Sequence, residues 1–213
     1  MILCGRLTRQ AGGALPAEVG ASACPAGAGA TAAPERVKPV TLGQIPQQYW
    51  QDLSRQGYDA VWLMGIWQRG PNAPQRDSTD PVLQPRYAAA LPGWQPADIF
   101  GSPYAICTYT PDWRLGGLEG LLEAKKRANA AGLALIVDFV PNHMSLEHPW
   151  VREHPEYFVL GSHESLSREP DVFFDAGNGR ILAHGKDPYF PSWPDTVQIN
   201  YASPVACEAM IQQ

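Results

Sequence analysis

The chain has 213 residues, with 21 acidic against 16 basic side chains and a formal net charge of -5. No Lys/Arg cluster exceeds Lys125-Lys126-Arg127, which excludes the basic patch a nucleic-acid partner requires, and no apolar run approaches the ~18 residues of a membrane span. The length suits one domain of ordinary size but is short for a complete eight-fold barrel, which takes ~250 residues. Cys4, Cys24, Cys107 and Cys207 are scattered without C-x-x-C spacing, so reduced thiols and a cytoplasmic location are expected. The opening MILCGRLTRQ is broken by Gly5, Arg6, Thr8 and Arg9 and has no signal-peptide core.

Residues 1–36 are mostly Ala, Gly and Pro without a sustained period. Residues 1–40 therefore read as a low-complexity segment, disordered or irregular, with a short helix around Ala14–Ala23 as the alternative. From Thr41 the pattern sharpens. Pro46 suits the first position of a helix, and Ile45, Tyr49, Trp50 and Leu53 fall on one face at helical spacing. Gly57 supplies a left-handed C-cap and leads into the apolar strand Ala60–Met64. The same order recurs downstream. Gly116-Gly117 open a helix from about Leu118 to Ala131, with Leu118, Leu121, Leu122 and Ala128 expected inward and Glu123–Arg127 paired at i,i+4. Gly132 caps it, and strand Leu133–Phe139 comes next, its apolar start reading as buried on both faces. Superposing Gly57 on Gly132 lines Ala60–Leu63 against Leu135–Asp138. Two helix–Gly–strand units predict a parallel α/β sheet with right-handed crossovers.

Two long connections, residues 65–116 and 140–203, leave the carboxyl ends of those strands. Such lengths are uncommon and usually functional. The first is proline-rich, and the second holds most of the remaining aromatics. A final helix begins at Ser203-Pro204, with Ser203 as N-cap and Val205, Ala206, Ala209 and Met210 inward.

Asp138 ends a buried strand, where α/β barrels place active-site groups. It reads as a catalytic acid, a metal ligand or a structural partner for an arginine or loop amides, and its burial demands a partner. His143, His148 and His154 with Glu147 and Glu153 invite a metal reading. However, H-x-x-x-E-H at 143–148 is one residue longer than the zinc motif it resembles and lies between Pro141 and Pro149 rather than on a helix. The loop aromatics either pin the loops or stack on the apolar faces of sugars.

The segment D-F-V-P-N-H at 138–143 resembles the third-strand motif D-x-V-x-N-H of the α-amylase superfamily. Three further stretches are similar to that family in the same order. G-Y-D-A-V-W-L-M from Gly57 resembles its second-strand segment. G-S-P-Y-A-I-C-T-Y from Gly101, with L-G-G-L from Leu115, resembles its connection from that strand to the next helix. H-P-W-V from His148 with H-P-E-Y-F from His154, and H-G-K-D-P-Y-F-P-S-W-P-D-T-V-Q-I-N-Y from His184 to Tyr201, resemble its long third-strand insertion. The resemblance covers about residues 41–213 and implies the amino-terminal portion of a (β/α)8 barrel of TIM type, a partial barrel with long βα loops that stops before the fourth strand. It implies a retaining glycoside hydrolase or transglycosylase acting on an α-glucan or α-glucoside oligosaccharide. His143 matches the histidine that stabilises the transition state at the sugar being cleaved, Tyr104 the tyrosine that stacks on that sugar, and Asp138 an aspartate that organises the site. Tyr104, His143 and Trp67 are the expected substrate-binding residues. Asn142 matches a calcium ligand of many amylases; no organic cofactor is implied. Thr108 stands where the family usually has an acid, and no first strand is recognisable in residues 1–36. The family's nucleophile and acid/base lie after later strands, and no G-x-R-x-D occurs here, so these 213 residues are expected to be inactive alone. A non-catalytic carbohydrate-binding relative and a non-functional gene fragment are the competing readings.

Overall fold

The computed structural model describes Ile2–Gly5 and residues 40–213. The irregular reading of residues 1–40 and the alternative helix around Ala14–Ala23 therefore fall almost wholly outside the described residues. Along the chain, strand β1 (Ile2–Gly5) precedes helix α1 (Gln47–Arg55) and strand β2 (Ala60–Leu63). The first long connection carries β3 (Trp67–Arg69), α2 (Ala73–Thr79) and α3 (Gln84–Ala90), and ends in β4 (Ile106–Pro111). Helix α4 (Gly117–Ala130) and strand β5 (Ala134–Val137) come next. The second connection holds β6 (His143–Ser145), α5 (Trp150–Glu153), α6 (His163–Arg168), β7 (Phe173–Asp175), β8 (Ile181–Ala183) and β9 (Thr196–Gln198), before α7 (Pro204–Ile211). None of these helices is long and apolar enough to cross a membrane.

The chain divides into two compact units, the first made of Met1–Ile66 and Thr110–Asp138. Its sheet has the order β1-β2-β5. β2 and β5 run parallel, with Ala60 opposite Ala134 and Leu63 opposite Val137, and β1 lies antiparallel on β2. The helix–Gly–strand repeat thus produces the parallel pair it predicts, and Gly57 and Gly132 take the left-handed φ of +85° and +80° that a helix C-cap needs. The register differs by one residue from the glycine superposition, because Gly57 stands three residues before its strand and Gly132 only two.

Three expectations about facing are corrected. α4 buries Gly120, Ala124 and Ala128, while Leu118 and Leu122 are 58% and 54% exposed. The reason is close approach. A Cβ on Gly43 would stand 3.2 Å from the Gly120 Cα, so only a small-residue stripe fits against the turn Leu42–Gln44. β5 is not buried on both faces: Ile136 and Val137, on opposite faces of the strand, are both exposed. In the second unit, α7 buries Ala206 and Met210 but leaves Val205 outward, one position off the i,i+4 stripe.

The second unit comprises Trp67–Tyr109 and Phe139–Gln213, the two long connections and α7. Its core gathers Met144, Phe158, Leu182 and Val197 with Ala206 and Met210 of α7. Around it stand three two-stranded sheets, β3-β4, β6-β9 and β7-β8, the last two antiparallel. Among the described residues no set of strands closes into a barrel; the molecule is an α/β fold of short parallel and antiparallel sheets with helices.

Candidate functional site

Asp138 comes directly after β5 and is buried. Its carboxylate accepts the Trp62 indole N–H at 2.8 Å and the Gly65 backbone N–H. The partners its burial demands are thus a side chain of β2 and the turn that ends β2. The carboxylate is held by donors within its own unit, in a position to fix the strand ends.

His143 opens β6 and faces Gln198 of β9 in register. It is buried against Trp193, with ring centroids 5.1 Å apart. Its close seat depends on Gly185: a Cβ there would meet the His143 Cβ at 2.8 Å and the Thr196 Oγ1 at 2.6 Å. Burial holds the imidazole below its ordinary range, while the Asp195 carboxylate and a hydrogen bond to the Tyr104 backbone oppose that shift. His143 and Tyr104 are therefore brought together, through ring and main chain. Asn142 stands 3.2 Å from His143 Nδ1 through its Nδ2. Its side-chain oxygen accepts Gln198 Nε2–H at 3.1 Å, and its backbone carbonyl accepts the same group at 2.9 Å. A calcium ion takes about six to eight oxygen ligands. The Asn142 side chain is engaged in an amide pair, and among the described residues no three His, Cys, Asp or Glu side chains gather as a metal site.

Trp67 belongs to another group. Its ring meets Tyr109 edge-on at 5.4 Å, and Tyr109 lies 5.6 Å from Phe139. The Tyr109 hydroxyl accepts the Val140 N–H at 3.0 Å and donates to the Val140 carbonyl at 3.1 Å, which pins this aromatic row to the loop before β6.

A hollow of about 910 Å³ opens in the second unit. Its lining includes Arg76 and Asp77 of α2, Tyr87 of α3, Trp94, Trp193 and Asp195. His143, Tyr104 and Trp67 are not on it; His143 lies against the lining residue Trp193. Asp77 is buried, with Arg76 Nε donating to it at 3.0 Å. Burial pushes its carboxyl up, Asp195 adds to that, and Arg76 and the Ser102 N–H oppose it. The sequence assigns none of Gly185, Trp193, Asp195 and Gln198 a place beside His143, although Trp193 counts among the loop aromatics. The H-G-K-D-P-Y-F segment marks their neighbourhood, but nothing in it says that a three-residue strand pairing and a single bridge return them to His143.

No family model matches the chain, and no curated protein does. Solved structures do. The fold is similar to an α-amylase from Lactobacillus plantarum at TM-score 0.52 and 20% identity, over 81% of this chain and 31% of that one. It is similar to the α-glucosyl transfer enzyme XgtA at TM-score 0.55 and 17% identity, over 84% of this chain and 31% of that one. For trehalose-6-phosphate hydrolase from Bacillus licheniformis the TM-score is 0.54 at 16% identity, over 78% of this chain and 28% of that one. The chain spans less than a third of each of these structures, and at such identities the likeness is one of fold.

Proposed function

We propose that this chain is the sugar-holding, amino-terminal portion of an α-amylase-type (β/α)8 enzyme acting on α-glucosidic bonds, as a hydrolase or transglycosylase. The observation that carries the reading is the seat of His143. A motif histidine is held close to neutral by burial, hydrogen-bonded to the Tyr104 main chain and backed by Trp193. An imidazole so fixed is already oriented for a sugar, and a contact that strengthens as the ring distorts favours the transition state most. Asp138 acts as a positioning residue, through Trp62 and Gly65. The fold likeness to amylase and glucosyl-transfer structures supports the same reading.

Retaining cleavage requires a nucleophile and an acid/base about 5–5.5 Å apart. In this reading neither lies within the 213 residues, so the chain binds an α-glucan or α-glucoside oligosaccharide without cleaving it and requires no cofactor. The test is calorimetric titration of the purified chain with maltotriose, alongside a reducing-sugar assay. Binding is expected, with His143→Asn weakening it by about tenfold, or ~1.4 kcal/mol, and with no sugar released. Release of sugar by the chain alone, or no binding of any α-glucoside, overturns the reading.

A further inference from the structure

The two ring nitrogens of a histidine are distinct, and which one carries the hydrogen is set by what the neighbours of each can give or take. Asn142 stands beside the ring, its Nδ2 3.2 Å from His143 Nδ1. Whether that contact supplies a hydrogen to Nδ1 or takes one from it depends on which way the Asn142 amide faces. Side-chain amides are oriented by their hydrogen-bond networks. This network starts from main-chain groups, whose polarity is fixed.

The Lys186 backbone N–H donates to Gln198 Oε1 at 3.0 Å. A backbone N–H cannot accept, so the Gln198 oxygen faces Lys186 and its Nε2 faces Asn142. There Nε2 donates to the Asn142 backbone carbonyl at 2.9 Å and to Oδ1 at 3.1 Å. With Oδ1 held by Gln198, the Asn142 Nδ2 is the atom turned to the other side. It shares its hydrogens between the Lys186 carbonyl at 3.3 Å, Gln198 Oε1 at 3.4 Å and, closest, His143 Nδ1. A reversed amide would set Oδ1 against the Lys186 carbonyl, oxygen on oxygen. Nδ2 only donates, so Nδ1 is the acceptor and the hydrogen of the neutral ring lies on Nε2. The ring N–H that bonds the Tyr104 main chain is then that of Nε2.

We infer that Asn142, steered by Gln198 and the Lys186 main chain, is the positioning residue that fixes His143 as the Nε2–H tautomer. The assignment stands on this geometry alone. Its bearing on a substrate rests on the carbohydrate reading above, in which a sugar meets a ring N–H rather than a bare nitrogen.

The experiment is NMR of the imidazole nitrogens in the full chain, without sugar and at alkaline pH, where burial keeps His143 uncharged. His143→Asn identifies the signals. The unaltered chain is expected to show a bare Nδ1 and a protonated Nε2. Asn142→Asp replaces the donor by a carboxylate that only accepts, and should place a hydrogen on Nδ1. Gln198→Glu still accepts from Lys186 but offers Asn142 no donor, so the Nδ1–H form should appear beside the other. Circular dichroism checks that each variant is folded. A hydrogen on Nδ1 in the unaltered chain overturns the inference, and so does an Nδ1 that stays bare in every variant that folds. Maltotriose added to the same samples separates the two ideas. A bare Nδ1 without any sugar binding overturns the carbohydrate reading and leaves the tautomer assigned, whereas sugar binding by a chain with Nδ1–H overturns the inference alone.

Discussion

Burial alone sets the chemistry of His148. Its imidazole is brought down to about 4 from an ordinary 6.5, with Nδ1 accepting the Trp150 N–H at 3.1 Å and the ring edge-on to Trp150 at 4.6 Å. As pH falls through 6.5 the unfolded chain takes up a proton that the folded chain refuses until about 4. Full stability is therefore present above 6.5 and is lost progressively between 6.5 and 4, by on the order of 3 kcal/mol across the window. His148→Asn keeps an acceptor near the Nδ1 position and cannot protonate. Urea unfolding at pH 7 and pH 5 should show a smaller loss for this variant than for the unaltered chain; equal losses would show that His148 does not titrate this way. His143 shifts in the same direction, so some slope remains. At this scale the sequence exposes the residues with chemistry, Asp138, Asn142 and His143, because they form one contiguous motif. It hides the return of Gln198, some 50 positions on, through a pairing only three residues long, and of Gly185 and Trp193 through a single bridge, both too short for alternation to register.

Among the elements, the β2–β5 pair is readable because each half carries its own signal: an amphipathic helix, a left-handed glycine and an apolar run. The face of α4 is not. Hydrophobicity points to Leu118 and Leu122, yet contact is made by Gly120, Ala124 and Ala128. Two hydrogen bonds tie α4 to the start of α1: Arg127 Nη1 donates to the Ile45 carbonyl at 2.7 Å, and Gln47 Nε2 donates to the Arg127 carbonyl at 3.1 Å. At that distance the deciding quantity is the volume of Gly43 and Gly120, not the apolar area of the leucines. Gly43→Val should destabilise the chain by about 1–3 kcal/mol through overpacking, seen as a lower urea midpoint at unchanged slope. An unchanged midpoint would mean that the turn can retreat from α4.

For the whole molecule, the parallel strand nearest the motif is also the most open. β5 shows Ile136 and Val137 to solvent, and α4 adds Leu118 and Leu122. Among the described residues β5 pairs on one side only, and an open strand edge with exposed apolar side chains recruits other chains. Sedimentation of the 213-residue chain should show concentration-dependent association, and Ile136→Lys should shift it toward monomer. A monomer at every concentration would contradict this. The two units are not separable by composition, since each is assembled from two stretches of sequence.

Gly185 ties these scales together. Where any other residue would carry a methyl or more, the backbone passes directly behind the imidazole, and the vacant half-shell is filled by the ring itself. The aim of residue 143 is thus governed by a bridge residue far along the chain, and the space it occupies is a mould cast by an omission. A designer seeking to tilt that ring has its handle at position 185, with the motif left untouched.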